Sequence, residues 1–228
     1  AGNGAVIHYR ATPETNKVVD DSNIYILDSG GQYLEGTTDI TRTVHLGAPT
    51  AIQKRHYTLV LKGHLALARN SFPSGTNGEH LDSFARQYLW NEYLDYRHGT
   101  GHGVGSFLCV HEGPQKISRA LSGTQLVPGM IVSNEPGFYL NGAYGIRIEN
   151  LCLVSEVAAK LAKSSDFGPF YHLENLTIVP YCKKLIDFDL LDNTEKNQII
   201  EYYADIKTKV RPHLSANEQA WFDAEINI

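Results

Sequence analysis

Apolar runs of strand length and longer helical patterns alternate along the first half of the chain. Residues 22–29 form a short apolar run in which Asp28 is followed by Ser-Gly-Gly, and this pattern predicts a buried strand closed by a turn. Residues 32–46 are rich in β-branched side chains and predict the return strand, while 51–71 and 79–96 predict helices. The second helix repeats apolar residues along one face: Leu81, Phe84, Ala85, Tyr88 and Leu89.

The second half begins with a Gly-rich stretch at 99–105, which predicts a loop or an irregular strand because regular helix disfavours so many glycines. The remaining pattern predicts strands at 130–133, 144–154 and 173–179 and polar-faced helices at 195–209 and 215–226. The two C-terminal helices could pack on the core or form a subunit contact, and the pattern does not choose. The scattered aromatic residues are typical of core packing.

Composition limits the class of protein. The chain has 228 residues, enough for one core and a tail, and its net charge of -5 gives no general attraction to nucleic acid or anionic membranes. No apolar run approaches the roughly 18 residues that span a bilayer, and the N-terminus lacks an apolar signal segment. Cys109, Cys152 and Cys182 are widely spaced and form neither a metal motif nor a disulfide framework, which favours a reducing, cytoplasmic compartment.

Four acidic residues and one histidine have the most distinctive local sequences. Asp28 and Asp39 flank one predicted turn, Glu135 and Glu149 flank another, and His102 lies within the Gly-rich stretch. Carboxylates with one imidazole form a ligand set suited to divalent cations. The sequence therefore predicts a two-metal hydrolase, with two hairpins that each donate two carboxylates.

Each acid taken alone has a simpler interpretation, because an Asp after a strand is usually a turn or helix-capping residue. Together the acids raise an electrostatic problem. Two carboxylates about 4 Å apart repel by roughly 4 kcal/mol at an effective dielectric constant near 20, and burial adds a desolvation cost. Arg42 and Arg147 could neutralise part of this charge, so a salt-bridge network is the competing hypothesis. Two arginines would neutralise only two of the four negative charges, whereas two dications would neutralise all four.

Five longer motifs carry a family resemblance: LDSGGQYLEGTTDITRT, HGTGHGVG, VHEGPQ, SNEPGFY and GIRIEN. They resemble the catalytic domain of the pita-bread metallopeptidases, and among these the eukaryotic, cytosolic aminopeptidase P (Xaa-Pro aminopeptidase) family. The resemblance implies an α+β pita-bread (creatinase/aminopeptidase) fold, a curved antiparallel sheet covered by helices, here without its N-terminal part. It also implies a catalytic domain over 1–180, a packed C-terminal helical extension over 181–228 and a homodimeric full-length enzyme.

The resemblance also implies ligand roles at the matching positions. Two metal ions, most often Mn²⁺, would be held there. Asp39 and Glu149 would contact both ions, Asp28 would complete one site, and His102 and Glu135 would complete the other. Glu135 would in addition act as the catalytic general base and then as the acid.

Three further histidines and one arginine match positions that line the substrate cleft in this family. His111 would hydrogen-bond the substrate near the scissile carbonyl or the proline, His8 would contact the scissile amide, and His98 would help to form the proline pocket. Arg147 lies two residues before Glu149 and shares its strand face by alternation, so it would orient substrate or act as a buried counter-ion. Each histidine taken singly has a structural role more often than a catalytic one.

The activity implied is removal of the N-terminal residue from peptides with proline in second position. Prolidase, which cleaves Xaa-Pro dipeptides with the same ligands, is the nearest alternative, and methionine aminopeptidase matches less well in its flanking sequences. A non-catalytic pita-bread module that binds a protein partner is a different class, but such relatives lose metal ligands. Nucleic acid and membranes are not expected partners.

Overall fold

The computed structural model describes residues 4–107, 109–158 and 166–228. No helix within these ranges is both long and apolar enough to cross a membrane. The strands are β1 (Ile24–Tyr33), β2 (Gly36–His45), β3 (Phe72–Pro73), β4 (Gly101–His102), β5 (Lys116–Ile117), β6 (Ile131–Asn134), β7 (Gly137–Leu140), β8 (Tyr144–Arg147), β9 (Asn150–Glu156) and β10 (Phe170–Asn175). The helices are α1 (Ala51–Arg69), α2 (Gly78–Trp90), α3 (Asn193–Val210) and α4 (Ala216–Ile226), with short 3-10 turns at Lys183–Leu185, Phe188–Leu190 and Arg211–His213.

The first hairpin departs from the prediction in the course and burial of β1. The strand does not end after Asp28: it continues to Tyr33, and Gly30 pairs with Asp39 across the ribbon. Only Ile24 of β1 is buried, and Leu27 is 52% exposed, so the prediction of a buried strand was wrong. The glycines lie within the paired strand and do not form a turn. Gly30 allows the two strands to approach closely, because a Cβ at this position would lie 2.9 Å from the Thr38 carbonyl oxygen.

All strand pairings among the described residues are antiparallel. Strands β3, β10, β9 and β6 form a four-stranded sheet in that order, while β1–β2, β4–β5 and β7–β8 form separate pairs. The predicted strand at 130–133 is confirmed as β6, and the Gly-rich stretch contains only the short strand β4. The predicted strand at 144–154 is broken between Arg147 and Asn150, and the predicted strand at 173–179 ends at Asn175.

Helices α1 and α2 pack closely because Gly63 lets the α2 backbone approach: a Cβ there would lie 2.0 Å from the Ala85 carbonyl oxygen. Helix α2 ends at Trp90, six residues before the predicted end at 96. Beyond the helix, buried Arg86 donates hydrogen bonds to the carbonyl oxygens of Tyr96 and His98, which tie that segment to α2.

The C-terminal helices pack on the core. One hydrophobic cluster joins residues of α1, β7 and β8 to Tyr181 and to residues of α3 and α4, including Ile199, Tyr203 and Phe222. Helix α3 begins with a capping box formed by Asp192 and Glu195. Packing on the core is therefore what the structure favours, whereas the domain boundary at 180/181 stays a prediction.

His64 on α1 is fully buried, and its Nδ1 lies 3.1 Å from the carbonyl oxygen of Asn134, the last residue of β6. Burial lowers the pKa of His64 to about 3. The unfolded chain takes up a proton near pH 6.5 and the folded protein does not, so acid destabilises the fold through this residue.

We therefore expect His64 to account for a loss of about 2 kcal/mol in the free energy of unfolding between pH 7 and pH 5. Urea denaturation at both pH values measures it. In His64→Gln the difference between the two pH values should shrink by that amount, whereas His213→Gln at the surface should leave it unchanged. An unaltered pH dependence in His64→Gln would contradict the expectation.

Candidate metal centre

The structure brings all five predicted ligands together at one place. Their donor atoms form three overlapping groups in which all atoms lie within 4.8 Å of one another. The groups are Asp28, Asp39 and Glu149; His102, Glu135 and Glu149; and Asp39, His102 and His111. Asp39, His102 and Glu149 each belong to two groups, so these three residues link the groups into one cluster.

Strand pairing explains this convergence. Asp28 pairs with Thr41, and Gly30 pairs with Asp39, so the two aspartates project from the same face of the β1–β2 ribbon. Glu135 and Glu149 lie just outside the ends of the β7–β8 hairpin, where Gly137 pairs with Arg147. Two hairpins therefore each bring two carboxylates to the cluster, and metal binding by these carboxylates stays a prediction.

His102 presents one nitrogen to the carboxylates. Its Nδ1 lies 2.9 Å from the Gly103 carbonyl oxygen, an acceptor, so Nδ1 carries the proton. Its Nε2 lies 3.5 Å from Asp39 Oδ2 and 3.3 Å from Glu135 Oε1. A neutral histidine with this tautomer offers the Nε2 lone pair to a cation, which is the usual arrangement of a metal-binding histidine.

The arginines do not support the salt-bridge hypothesis. Arg147 Nη2 lies 2.6 Å from Asp28 Oδ2, and its Nε lies 4.0 Å from Glu135 Oε2. Arg42 points elsewhere, and within the described ranges it forms no ion pair with a carboxylate. One guanidinium thus faces four carboxylates, and the excess negative charge fits bound cations.

The protonation behaviour of the cluster reflects the same excess of negative charge. Burial raises the pKa of Glu135 to about 7, although His102 and Arg147 oppose the shift. Burial, followed by repulsion from Glu135 and Asp39, raises the pKa of Glu149 well above its usual range. Burial alone would lower the pKa of His102, but its hydrogen bond to Asp39 and the nearby glutamates raise it to about 9. Cations would relieve this repulsion and replace the protons.

Two hydroxyl groups that the sequence did not point to orient the ligands. Thr41 Oγ1 donates to Glu149 Oε2 at 2.7 Å and accepts from Arg147 Nε at 3.1 Å. Ser133 Oγ donates to Glu135 Oε1 at 3.0 Å and accepts from the His102 N–H. Thr41 could have been found by alternation, because it lies two residues after Asp39 on the same strand face.

The three cleft histidines lie around the donor groups. The ring centroids of His111 and His102 are 4.2 Å apart, and those of His8 and His111 are 5.7 Å apart. His8 has a φ of 56°, a left-handed conformation that is uncommon for histidine. His8, His98 and His111 line a cavity of about 400 Å³ together with Asp39, Glu135 and Glu149.

Tyr139 is an exception to the expectation that the aromatic residues only pack. Its hydroxyl accepts a hydrogen bond from Arg147 Nη1 at 2.8 Å and lies 3.1 Å from His98 Nε2, to which it donates. His98 Nδ1 in turn donates to the Gly99 carbonyl oxygen. Burial lowers the pKa of His98 to about 4 and raises that of Tyr139 to about 12, so both stay neutral near pH 7.

Two glycines make room for the strand that carries His102. A Cβ at Gly101 would lie 1.9 Å from the Ser133 carbonyl oxygen, and one at Gly103 would lie 2.1 Å from the Glu112 carbonyl oxygen. Both distances are shorter than any real contact between such atoms. His102 can therefore reach the carboxylates only because its two neighbours lack side chains.

Comparison with known proteins agrees with this arrangement. Residues 1–156 match the family model of metallopeptidase family M24, and residues 169–227 match that of the C-terminal region of peptidase M24. The chain belongs to metallopeptidase family M24. All five candidate ligands lie within the range matched by the first M24 model.

Similar M24 proteins are Xaa-Pro aminopeptidases. A probable Xaa-Pro aminopeptidase P of Sclerotinia sclerotiorum is 50% identical over 230 residues, covering 98% of this chain and 38% of the relative. A putative Xaa-Pro aminopeptidase of Saccharomyces cerevisiae is 52% identical over 204 residues, covering 89% of this chain and 26% of the relative. The chain thus spans about a third of the length of these relatives.

Solved M24 structures confirm the fold. The X-prolyl aminopeptidase of Caenorhabditis elegans, described as a cytosolic enzyme with a di-nuclear active site, matches with a TM-score of 0.93 and 39% identity over 99% of this chain and 37% of that chain. Prolidase from Pyrococcus furiosus matches with a TM-score of 0.60 and 33% identity over 67% of this chain and 44% of that chain. The α+β pita-bread fold expected from the sequence is confirmed.

Proposed function

We propose that the protein carrying this chain is a two-metal aminopeptidase that removes the N-terminal residue from peptides with proline in second position. The observation that carries the proposal is a cavity that is lined both by residues of the donor groups and by the three histidines. Identity of about half the residues with Xaa-Pro aminopeptidases supports the choice of substrate.

Asp39 and Glu149 are proposed to contact both ions, Asp28 to complete one site, and His102 and Glu135 to complete the other. The oxygen-rich donor set with one imidazole suits Mn²⁺. Two bound dications supply Lewis acidity that polarises the scissile carbonyl group and lowers the pKa of water toward neutrality.

The chain's own residues then move the proton and orient the peptide. Glu135 accepts a proton from the attacking water and returns it to the leaving proline nitrogen. Ser133 Oγ donates to Oε1 of Glu135 and so fixes the orientation of this carboxyl group. His111 hydrogen-bonds the developing oxyanion, and His8 contacts the scissile nitrogen.

Proline in second position requires a dedicated binding surface, because its tertiary amide has no N–H and restricts the residue before it. His98 supplies one wall of this surface. Its ring is held by Tyr139 on one side and by the Gly99 carbonyl oxygen on the other, so it presents a fixed, neutral face. Arg147 anchors Tyr139 and Asp28 at once and so links this wall to the ligands.

Prolidase activity is the alternative, since prolidases are also among the similar structures. A second cavity of about 970 Å³ shares His8, Asp28 and Arg147 with the first. We propose that this adjoining space receives peptide residues beyond the proline, which would favour longer substrates. A non-catalytic binding module is disfavoured because all five ligand positions keep donor side chains. We also propose a cytosolic location and a homodimeric full-length enzyme.

Product analysis by mass spectrometry tests the function. The full-length protein, supplied with Mn²⁺, is expected to cleave Arg-Pro-Pro to Arg and Pro-Pro and to turn over Arg-Pro slowly. Preference for Arg-Pro would move the assignment to prolidase. Absence of cleavage of both peptides by a protein that binds two ions per chain would reject both activities.

A further inference from the structure

Arg42 is a buried arginine whose guanidinium group has no carboxylate partner within the described ranges. Its Nε donates to the Pro180 carbonyl oxygen at 3.1 Å, and Nη1 donates to the carbonyl oxygens of Thr41 at 3.0 Å and Glu149 at 2.5 Å. Its Nη2 donates to Asn150 Oδ1 and the Val179 carbonyl oxygen, both at 2.7 Å. Every N–H of the guanidinium group therefore has an oxygen acceptor.

Burying a cation without an ion-pair partner costs free energy, because the cation loses its hydration. Neutral oxygen acceptors offset this cost only when they accept hydrogen bonds from all of its N–H groups. Arg42 is 6% exposed, and the Tyr181 ring lies 5.1 Å from its guanidinium carbon. Since Arg42 neutralises no carboxylate, its burial is better explained by the backbone segments that its hydrogen bonds connect.

The acceptors of Arg42 belong to two parts of the molecule. The carbonyl oxygens of Thr41 and Glu149 lie at the donor cluster, whereas those of Val179 and Pro180 lie in the segment before the C-terminal helices. Glu149 falls in the break between β8 and β9, where no strand pairing holds its carbonyl group. Arg42 supplies a hydrogen bond at that place, and the Glu149 N–H donates to the Thr41 carbonyl oxygen at 3.1 Å.

Helix α3 fixes the other end of this connection. The Tyr202 hydroxyl lies 2.9 Å from the carbonyl oxygens of both Thr177 and Val179, and it accepts from Arg42 Nη2 at 3.2 Å. Tyr202 thus ties α3 to the segment that supplies acceptors to Arg42. A continuous path runs from α3 through Tyr202 and Arg42 to the backbone of Glu149.

We propose that Arg42 is a positioning residue through which the C-terminal region holds Glu149 in place for metal binding. This inference rests on the proposed metal centre. It assigns a role to the second matched region of the chain: α3 contributes to metal affinity although none of the described donor groups includes one of its residues.

The test is a Mn²⁺ titration of the metal-free full-length protein, followed by electron paramagnetic resonance and calorimetry without substrate. Arg42→Lys keeps the charge but lacks the planar group that reaches both sets of acceptors. It is expected to weaken binding of at least one ion about 10–100-fold, as loss of a residue that orients a ligand typically does. Tyr202→Phe, which removes only the hydroxyl, should weaken it less but measurably. Arg211→Lys is the matched control, because Arg211 lies just after α3 and pairs with Asp223 of α4.

A folded Arg42→Lys protein that binds two Mn²⁺ ions with the affinity of the wild type would overturn the proposal. If Arg42→Lys does not fold, unchanged affinity in Tyr202→Phe overturns it instead. An equal loss in Arg211→Lys would overturn it too, since general loosening of the C-terminal region would then explain the effect. Peptide cleavage does not enter this measurement, so a wild type that binds two ions but leaves Arg-Pro-Pro intact rejects the proposed function alone.

Discussion

Glu135→Gln is expected to lower kcat for Arg-Pro-Pro by about 10²–10⁴-fold, the range typical of losing a general base. The amide keeps the size of the side chain and can still accept the hydrogen bond from Ser133, but it cannot take up the proton. Peptide binding should change little, because the histidines and Arg147 that line the cavity remain. Steady-state kinetics measures kcat, and calorimetry with a slowly cleaved peptide measures binding.

The matched control is Glu201→Gln, which makes the same chemical change at an exposed position of α3. It should keep the kcat of the wild type. A Glu135→Gln enzyme that retains most of its rate would show that another group serves as the base. Parallel metal analysis separates the two roles of Glu135, because a variant that still holds two ions has lost only the proton transfer.

Asp39→Ala is expected to remove both ions rather than one. Asp39 belongs to two of the three donor groups and lies 3.5 Å from His102 Nε2, and we propose that its carboxylate contacts both ions. We expect fewer than one Mn²⁺ ion per chain after dialysis and a loss of cleavage greater than about 100-fold, more than is typical for residues that only orient a ligand.

Elemental analysis of the dialysed protein measures the metal content. Asp205→Ala is the control, because Asp205 pairs with Lys209 on the surface of α3 and should leave the metal content unchanged. Retention of two tightly bound ions by Asp39→Ala would contradict the shared-ligand assignment. Retention of one ion would mean that Asp39 serves a single site.

Much of the candidate centre could be predicted from local sequence because its ligands stand beside glycines, prolines and strand ends that have few alternatives. His102 between glycines and Glu135 before Pro-Gly are of this kind, and the structure brings both to the cluster. Arg147 and Glu149 meet at Thr41 Oγ1, as alternation predicts, although the strand between them is broken. Alternation survives because the break spans only two residues, Ile148 and Glu149.

What failed depended on contacts between distant parts of the chain. The two glycines after Asp28 favour a turn locally, but pairing with β2 keeps them in a strand. The segment after α2 is tied back to the helix by Arg86, whose acceptors on Tyr96 and His98 lie beyond the helix end. The role of Tyr139 depends on the approach of His98 and Arg147 from two other segments. No pattern within a short window reports such contacts.

The close approach at Gly101 and Gly103 has a consequence for inherited variation. An allele that encodes alanine at either position keeps every donor side chain. Its added Cβ would nevertheless force the strand that carries His102 away from the neighbouring backbone, and so move His102 relative to the carboxylates. A classification of variants that considers only the reactive side chains would call this substitution neutral. Substitution of Gly101 or Gly103 would then reduce activity as substitution of a proposed metal ligand does, although glycine has no reactive side chain.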